Sequence, residues 1–124
     1  MAGFPVVLVA EDEALIAMAL ADDLEAAGYA VAGAFATCES ALEWLKGGTP
    51  DLAILDPTLK DGTCKELAIE LSRRGVPIVI HSGNREDRAL MEELNDATWI
   101  EKPSPIDTLL AALVDRLPHL RRRA

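Results

Sequence analysis

Five polar residues come at the ends of short apolar runs, and their side chains suit phosphoryl-group and metal chemistry. Glu11 and Asp12 follow "PVVLVA", and Asp56 follows "DLAIL". Ser82 follows "VPIVIH", and Lys102 ends the stretch "ATWIEK". Three carboxylates brought together would raise one another's pKa values unless a cation neutralised them. Because hard oxygen ligands favour Mg²⁺ or Mn²⁺, the acids predict a divalent metal site.

An aspartate beside a divalent cation and a lysine can act as a nucleophile toward a phosphoryl group. Here the product would be an aspartyl phosphate on Asp56. The metal and Lys102 would stabilise charge on the transferring oxygens, and Ser82 could donate a hydrogen bond to the product. The five residues therefore predict a phosphoacceptor site.

The acidic run "EDE", at 11–13, has a second interpretation, in which its acids stabilise the start of a helix. Glu13 fits this structural role better than a ligand role, because the spacing to Asp56 best suits Glu11 and Asp12. The other polar residues of the set favour the chemical interpretation for those two acids.

The elements that must position these residues follow from the hydrophobic pattern. Short apolar runs predict five strands, at 5–10, 30–35, 51–56, 76–81 and 97–101. Three of the runs are continuously hydrophobic, which is typical of central strands of a parallel sheet covered on both faces.

Segments of helical period separate the strands. They predict helices at 14–27, at 38–47, from a capping box at Thr63 and Glu66 to about Arg74, at 85–95, and from Pro105 to about Leu117. Ser104, Pro105 and Asp107 form the start signal of the last helix.

The first helix has the clearest buried stripe. Its predicted members are Ile16, Leu20, Leu24 and Ala27, and Gly28 is expected to end the helix.

Strands alternating with helices predict right-handed crossovers and a parallel sheet with helices on both sides. Sites in such sheets lie beyond the carboxyl ends of the strands. All five polar residues lie at strand ends of this kind, so the predicted fold brings them to one edge.

At this point the chain resembles the receiver domain of bacterial response regulators, the CheY-like family. The resemblance is carried by "VLVAEDE", "DLAILDPTLKDG", the hydroxyl after "IVIH", and "EKP", in that order over essentially the whole chain. It implies a flavodoxin-like (βα)5 fold with strand order 2-1-3-4-5. It also implies a regulatory phosphoacceptor rather than an enzyme, with self-phosphorylation and autodephosphorylation chemistry.

The resemblance assigns roles to individual residues. Glu11 and Asp12 resemble the Mg²⁺-binding acids, Asp56 the phosphorylated residue that also contacts the metal, and the backbone carbonyl of Thr58 a further metal ligand. Lys102 resembles the lysine that pairs with the phosphoryl group.

Further roles concern switching and dephosphorylation. Ser82 resembles the hydroxyl residue that moves toward the phosphoryl group, and Trp99 lies at the position of the switch aromatic, although half-buried packing is an equal alternative. Thr58 and Asn84 lie at positions that tune autodephosphorylation. The Lys102–Pro103 peptide bond is expected to be cis.

Some residues depart from the family pattern or have a structural interpretation. Lys60 stands where a proline is common. The segment between Ser82 and Lys102 is shorter than is typical of the family, so the fourth helix is expected to depart from the family's shape. His81 is expected to point away from the site, because successive strand residues alternate between faces. Cys38 and Cys64 match no ligand spacing and are expected to be reduced thiols.

The resemblance implies partners as well. A sensor histidine kinase or a histidine phosphotransfer protein would supply the phosphoryl group, and a downstream protein would read it. The chain is expected to be a monomer, or a weak dimer through the face formed by helix 4, strand 5 and helix 5. Alternatives are a receiver module from a hybrid kinase or transcription factor, and a pseudo-receiver that binds partners without phosphorylation.

Length and charge agree with this class. The 124 residues suit one domain, 1–124. The formal net charge of −9 would repel phosphate backbones, so direct nucleic-acid binding is not expected. Apolar runs are too short to span a bilayer, and no signal peptide is recognisable, so a cytoplasmic location is expected. The basic cluster 121–123 is interpreted as cations that complete the last turn of a terminal helix, with a linker or a docking patch as the lesser alternatives.

Overall fold

The chain alternates strands and helices as predicted, and its long strands form a parallel sheet. The computed structural model describes residues 4–83, 97–102, 108–109 and 111–112. Its strands are β1 (Val6–Ala10), β2 (Ala30–Phe35), β3 (Leu52–Leu55), β4 (Thr58–Leu59), β5 (Gly62–Thr63), β6 (Ile78–Ser82) and β7 (Thr98–Glu101). Its helices are α1 (Ala14–Ala26), α2 (Cys38–Leu45) and α3 (Lys65–Arg73).

Five strands form the main sheet in the order β2-β1-β3-β6-β7. All neighbouring pairs in it are parallel. The two additional strands, β4 and β5, form a separate antiparallel hairpin. When the five long strands are numbered alone, their order is 2-1-3-4-5, so the predicted fold class and topology are confirmed.

The register of the central strands aligns their carboxyl ends. Ala10 lies opposite Leu55, and Leu55 lies opposite Ile80. On the outer pair, Ser82 lies opposite Glu101. Residues that follow these positions therefore meet at one edge of the sheet.

Burial of the central strands explains their continuous hydrophobicity. Leu8 is fully buried in a cluster that contains Leu67 and Leu71 of α3. Its neighbour Val7 is buried in a second cluster, which contains Leu24 of α1. Since successive strand residues point to opposite faces, both faces of β1 must be apolar.

Helix α1 buries part of its predicted apolar stripe. Leu20 and Leu24 are buried as predicted, and Ile16 is half-buried. Ala17 is also buried, whereas Ala27 is exposed. Ala27 is the C-cap, so it lies past the last regular turn and no longer follows the helical stripe.

Gly28 ends α1 as predicted, in a left-handed conformation with φ of 99°. The backbone N–H of Tyr29 donates to the carbonyl of Leu24 at 3.0 Å, and that of Gly28 donates to the carbonyl of Glu25 at 3.1 Å. This is a Schellman motif, which satisfies carbonyls that the helix end leaves without partners.

The predicted start of α3 is wrong. Thr63 belongs to β5, so it does not form a capping box with Glu66. The N-cap is Cys64, whose side chain makes no capping hydrogen bond. The second helix runs to Leu45 with Lys46 as its C-cap, so Gly47 directly follows the helix end, as predicted.

Cys38 and Cys64 lie together as free, buried thiols, with 2.9 Å between their sulfur atoms. Burial raises the pKa of both thiols above the ordinary value. Thiols held in the neutral form react slowly with oxidants, which agrees with the structural role expected from the sequence.

Several predictions lie outside the described residues. These are Asn84, the helix at 85–95, the Lys102–Pro103 bond, the helix start at 104–107 and the basic cluster 121–123. Within the predicted last helix, residues 108–109 and 111–112 are helical. Leu109 and Ala112 are buried there against the α1 side of the sheet. In the described part of the chain, the helices lack the length and apolar composition required to cross a membrane.

Comparing a buried with an exposed leucine of α1 tests which face of this helix packs on the core. Leu24 is fully buried, whereas the Leu15 side chain is 83% exposed. Leu24→Ala should lower the free energy of unfolding by about 2–5 kcal/mol, because it leaves a cavity in the core. Leu15→Ala should change it by no more than about 0.5 kcal/mol. Urea denaturation of both variants measures the difference, and equal losses would contradict the assigned face of α1.

Candidate functional site

Backbone hydrogen bonds bring the predicted site residues to the carboxyl edge of the sheet. The N–H of Glu11 donates to the carbonyl of Phe35 at 2.9 Å, and that of Asp56 donates to the carbonyl of Ala10 at 2.9 Å. On the far side, the N–H of Lys102 donates to the carbonyl of Ser82 at 2.7 Å. These bonds join the end of β1 to those of β2 and β3, and the end of β6 to that of β7, while β3 and β6 pair directly with each other.

The three predicted metal-binding acids form one cluster. Glu11, Asp12 and Asp56 each offer a carboxylate oxygen, and these oxygens lie within 4.8 Å of one another. Glu11 is buried, and the other two acids are half-buried. A set of three hard oxygen donors, two of them partly exposed, suits Mg²⁺, which keeps several waters and takes few protein ligands. The donor set therefore fits the metal expected from the sequence.

Lys102 places its ammonium group between two of these acids. Its Nζ atom is 2.8 Å from Oε1 of Glu11 and 2.8 Å from Oδ2 of Asp56. Oε2 of Glu13 lies farther away, at 3.8 Å. The Lys102 side chain is only 12% exposed, so carboxylate oxygens replace most of the water that would otherwise surround the ammonium group. These contacts neutralise part of the charge that the acids would otherwise concentrate at the edge.

Opposing effects act on the pKa values of this ion pair. Burial raises the pKa of Glu11, and the hydrogen bonds from Lys102 and from the Glu13 backbone offset only part of that rise. Burial by itself would lower the pKa of Lys102, but its hydrogen bonds to Asp56 and Glu11 raise it overall. Lys102 therefore remains a cation at neutral pH despite its burial.

Asp56 is held by both of its oxygens. Oδ2 contacts Lys102, and Oδ1 accepts a hydrogen bond of 3.0 Å from the backbone N–H of Thr58. Asp56 directly follows β3, and Thr58 begins β4. The turn after the strand thus orients the carboxylate. The predicted metal contact of the Thr58 carbonyl remains a prediction.

A hairpin next to Asp56 was not predicted from the sequence. Strands β4 and β5 are joined by Lys60 and Asp61, and Gly62 follows with φ of 123°. The carboxylate of Asp61 accepts hydrogen bonds from the backbone N–H groups of Cys38 and Glu39, at 2.8 and 3.0 Å. These two bonds lower the pKa of Asp61.

The hairpin is therefore docked on the start of α2, where backbone N–H groups lack helical partners. Lys60 adds a 3.3 Å hydrogen bond from its N–H to the carbonyl of Ala36. Its exposed side chain explains why a lysine is accommodated in this turn. The signal in the sequence was "KDG", a short polar pair before glycine that is typical of hairpin turns.

The two predicted switch residues lie on neighbouring strands. Ser82 ends β6 and is buried. Trp99 lies in β7 opposite Ile80, is half-buried, and packs against the cluster beneath α2 and α3. This packing agrees with the structural alternative for Trp99, and its switch role remains a prediction.

His81 is a buried residue whose surroundings were not foreseen. It is 4% exposed, and in the described part of the chain neither ring nitrogen has a hydrogen-bond partner. It borders a cavity of about 590 Å³ that is also lined by Glu13, Ile16 and Lys102. Burial, followed by the positive charge of Lys102, lowers the pKa of His81.

Comparison with known proteins gives a consistent family result. Residues 7–114 match the family model described as the response regulator receiver domain. Over 111 aligned residues, the chain is 36% identical to the transcriptional regulatory protein PdtaR of Mycobacterium tuberculosis. The alignment covers 86% of this chain and 54% of that protein, so the chain spans about half the length of this curated relative.

Solved structures of similar proteins share the fold. The solution structure of SdrG from Sphingomonas melonis Fr1 is 33% identical and has a TM-score of 0.77, covering 92% of this chain and 97% of that one. The receiver domain of the response regulator PhyR from Erythrobacter litoralis is 29% identical with a TM-score of 0.81, covering 93% and 91%.

The buried His81 predicts a pH dependence of stability. Since its pKa in the folded protein is below the ordinary value of 6.5, unfolding releases a more basic imidazole. Its contribution to stability is complete above pH 6.5 and is lost as pH falls toward the folded pKa, with a slope of at most about 1.4 kcal/mol per pH unit.

His81→Leu should remove this component. Denaturation of both proteins between pH 7.5 and 5 measures it, and the difference between them isolates His81 from the carboxylates that titrate in the same range. Parallel stability curves for the two proteins would show that His81 is not held neutral by the fold.

Proposed function

We propose that this chain, which belongs to the response regulator receiver domain family, accepts a phosphoryl group on Asp56 from a phosphohistidine donor. One observation supports this most directly. The Asp56 carboxylate lies at the open edge of the sheet with the Lys102 ammonium 2.8 Å away and two further acids beside it. A nucleophile, a cation and a set of metal ligands thus occupy one place.

In the proposed reaction, an oxygen of Asp56 attacks the phosphorus atom of the donor. The new bond joins carboxylate oxygen to phosphorus, while the phosphorus–nitrogen bond of the donor breaks and its electron pair stays on the imidazole. Lys102 stabilises negative charge on the phosphoryl oxygens, and Ser82, at the end of the neighbouring strand, donates a hydrogen bond to the product. Hydrolysis of the acyl phosphate later restores Asp56.

Glu11, Asp12 and Asp56 would hold a Mg²⁺ or Mn²⁺ ion, with the Thr58 carbonyl as a further ligand. The ion would neutralise charge on the phosphoryl oxygens, which is the main catalytic contribution in such transfers. Thr58 and Asn84 are proposed to set the rate of dephosphorylation. Each lies two residues after a site residue, Thr58 after Asp56 and Asn84 after Ser82.

Phosphorylation adds about two negative charges at the sheet edge. Ser82 and Lys102 would contact the phosphoryl group in one of two conformations of the protein. Trp99 would transmit this conformational change to the neighbouring surface. We propose that the face of the fourth helix, β7 and the last helix then binds a downstream protein or a second copy weakly. The chain would be cytoplasmic, and a sensor histidine kinase or histidine phosphotransfer protein would be the donor.

Two alternatives differ in their support. A pseudo-receiver would have no need for the complete set of acids, hydroxyl and lysine, so this set argues against it. A single receiver domain over 1–124 and a receiver module of a longer regulator share the same chemistry. The module is favoured by the greater length of the M. tuberculosis regulator.

Phosphorylation of Asp56 can be tested with a small phosphodonor. Incubation with acetyl phosphate and Mg²⁺ should add one phosphoryl group to the intact protein, measured by mass spectrometry. Asp56→Asn should abolish the gain because the amide is not a nucleophile, and EDTA should reduce it strongly. Asp22→Asn, an exposed site on α1, is the matched control and should leave it unchanged. A phosphoryl group retained in Asp56→Asn would place the acceptor elsewhere.

Metal binding can be tested without phosphorylation. Asp12→Asn should weaken the affinity for Mg²⁺ by at least about tenfold, the scale of loss when groups that support a metal site are removed. Isothermal titration calorimetry measures the affinity, again with Asp22→Asn as control. Equal affinity in Asp12→Asn and in the unaltered chain would exclude Asp12 as a ligand.

A further inference from the structure

We propose that Glu13 is a positioning residue for Lys102, which receives the lysine ammonium when a divalent cation takes the carboxylate oxygens that Lys102 now contacts. This inference rests on the proposed function, because it concerns how the same site is loaded with metal. It gives a role to an acid that belongs neither to the metal cluster nor to the reaction.

Lys102 acts as a resident cation of the site. Its ammonium contacts Glu11 and Asp56 at 2.8 Å each, and both residues also belong to the cluster that suits a metal. A divalent ion bound to those oxygens would lie close to the ammonium, and the repulsion between the two cations would be weakly screened because the lysine side chain is mostly buried. In the proposed metal-loaded state, Lys102 therefore moves away from at least one of the two oxygens that it now contacts.

An ammonium withdrawn from water needs another acceptor, because an unpaired buried charge is strongly destabilising. Glu13 provides one, since its Oε2 atom is 3.8 Å from Nζ of Lys102. That distance is too long for a hydrogen bond in the present arrangement and shortens with a small movement of either side chain. The Glu13 side chain is 60% exposed, so it can move without disturbing the core.

Among the residues that the structure describes, the Glu13 carboxylate contacts no cation or hydrogen-bond donor other than Lys102. It is the N-cap residue of α1, but its side chain makes no capping hydrogen bond. Its backbone N–H donates to Oε2 of Glu11 at 3.1 Å, which orients the buried acid. Glu13→Gln keeps this backbone contact and removes only the charge that would attract Lys102.

A double-mutant cycle separates this role from simple attraction between Glu13 and the metal. Calorimetry would give the Mg²⁺ dissociation constants of the unaltered chain, Glu13→Gln, Lys102→Met and the double variant. Lys102→Met should bind Mg²⁺ more tightly, because the competing cation is gone. Glu13→Gln should weaken binding roughly three- to tenfold when Lys102 is present, but less than about twofold in the Lys102→Met background.

Other outcomes would overturn the inference. An equal loss in both backgrounds would mean that Glu13 attracts the metal directly, and no loss in either would mean that it does not assist loading. Thermal unfolding without metal should be the same for Glu13→Gln and the unaltered chain, which excludes a change in folding as the cause. Normal Mg²⁺ binding and Asp56 phosphorylation with no coupling would refute the inference alone. Failure of the unaltered chain in both assays would refute the proposed function and this inference together.

Discussion

The contact between the Lys102 ammonium and the carboxylates of Glu11 and Asp56 is the interaction on which the site depends. Glu11 is almost fully buried, and burial raises its pKa, so an ionised carboxylate there requires a nearby cation. Lys102 supplies that cation, with its Nζ atom 2.8 Å from Oε1 of Glu11. Of the described site residues, Lys102 is the farthest from Glu11 in the sequence. The ion pair therefore joins the first strand of the sheet to the last and compensates for the concentration of acids.

The parallel register of the sheet makes this contact possible. Strands β1 and β3 end side by side, and β6 and β7 end next to them, so the residue after each strand emerges at the same edge. The continuous apolar runs are what keep the strands in place, because helices cover both faces. A polar side chain at the end of such a run reaches the edge of the sheet, where a strand-end residue of opposite charge can pair with it. The same packing that forms the core thus determines where charged groups can be placed.

The hairpin formed by β4 and β5 shows where sequence reasoning was insufficient. Thr63 and Glu66 have the spacing of a capping box, yet Thr63 is used in the hairpin and α3 starts two residues later. Asp61 docks the hairpin on α2, because its carboxylate accepts hydrogen bonds from two backbone N–H groups at the start of that helix. Such a contact joins residues more than twenty positions apart, and local patterns carry no information about it. His81 is a similar case, since the alternation of strand residues gives its face but not the cavity that it borders.

By itself, the sequence determined the fold class and the identity of the residues at the sheet edge, because these follow from hydrophobic period and from the position of polar residues after apolar runs. The strand order was implied by the family resemblance. Tertiary structure alone decided which of those residues touch. It showed that Lys102 lies between Glu11 and Asp56, that Thr58 orients Asp56 through its backbone, and that Glu13 is within reach of the lysine without joining the acidic cluster. The physical reason is that hydrophobic periodicity determines which face of an element is buried and where the element ends. Hydrogen bonds and ion pairs depend instead on distances of a few ångströms between elements, and these distances are set only when the whole sheet and its helices pack.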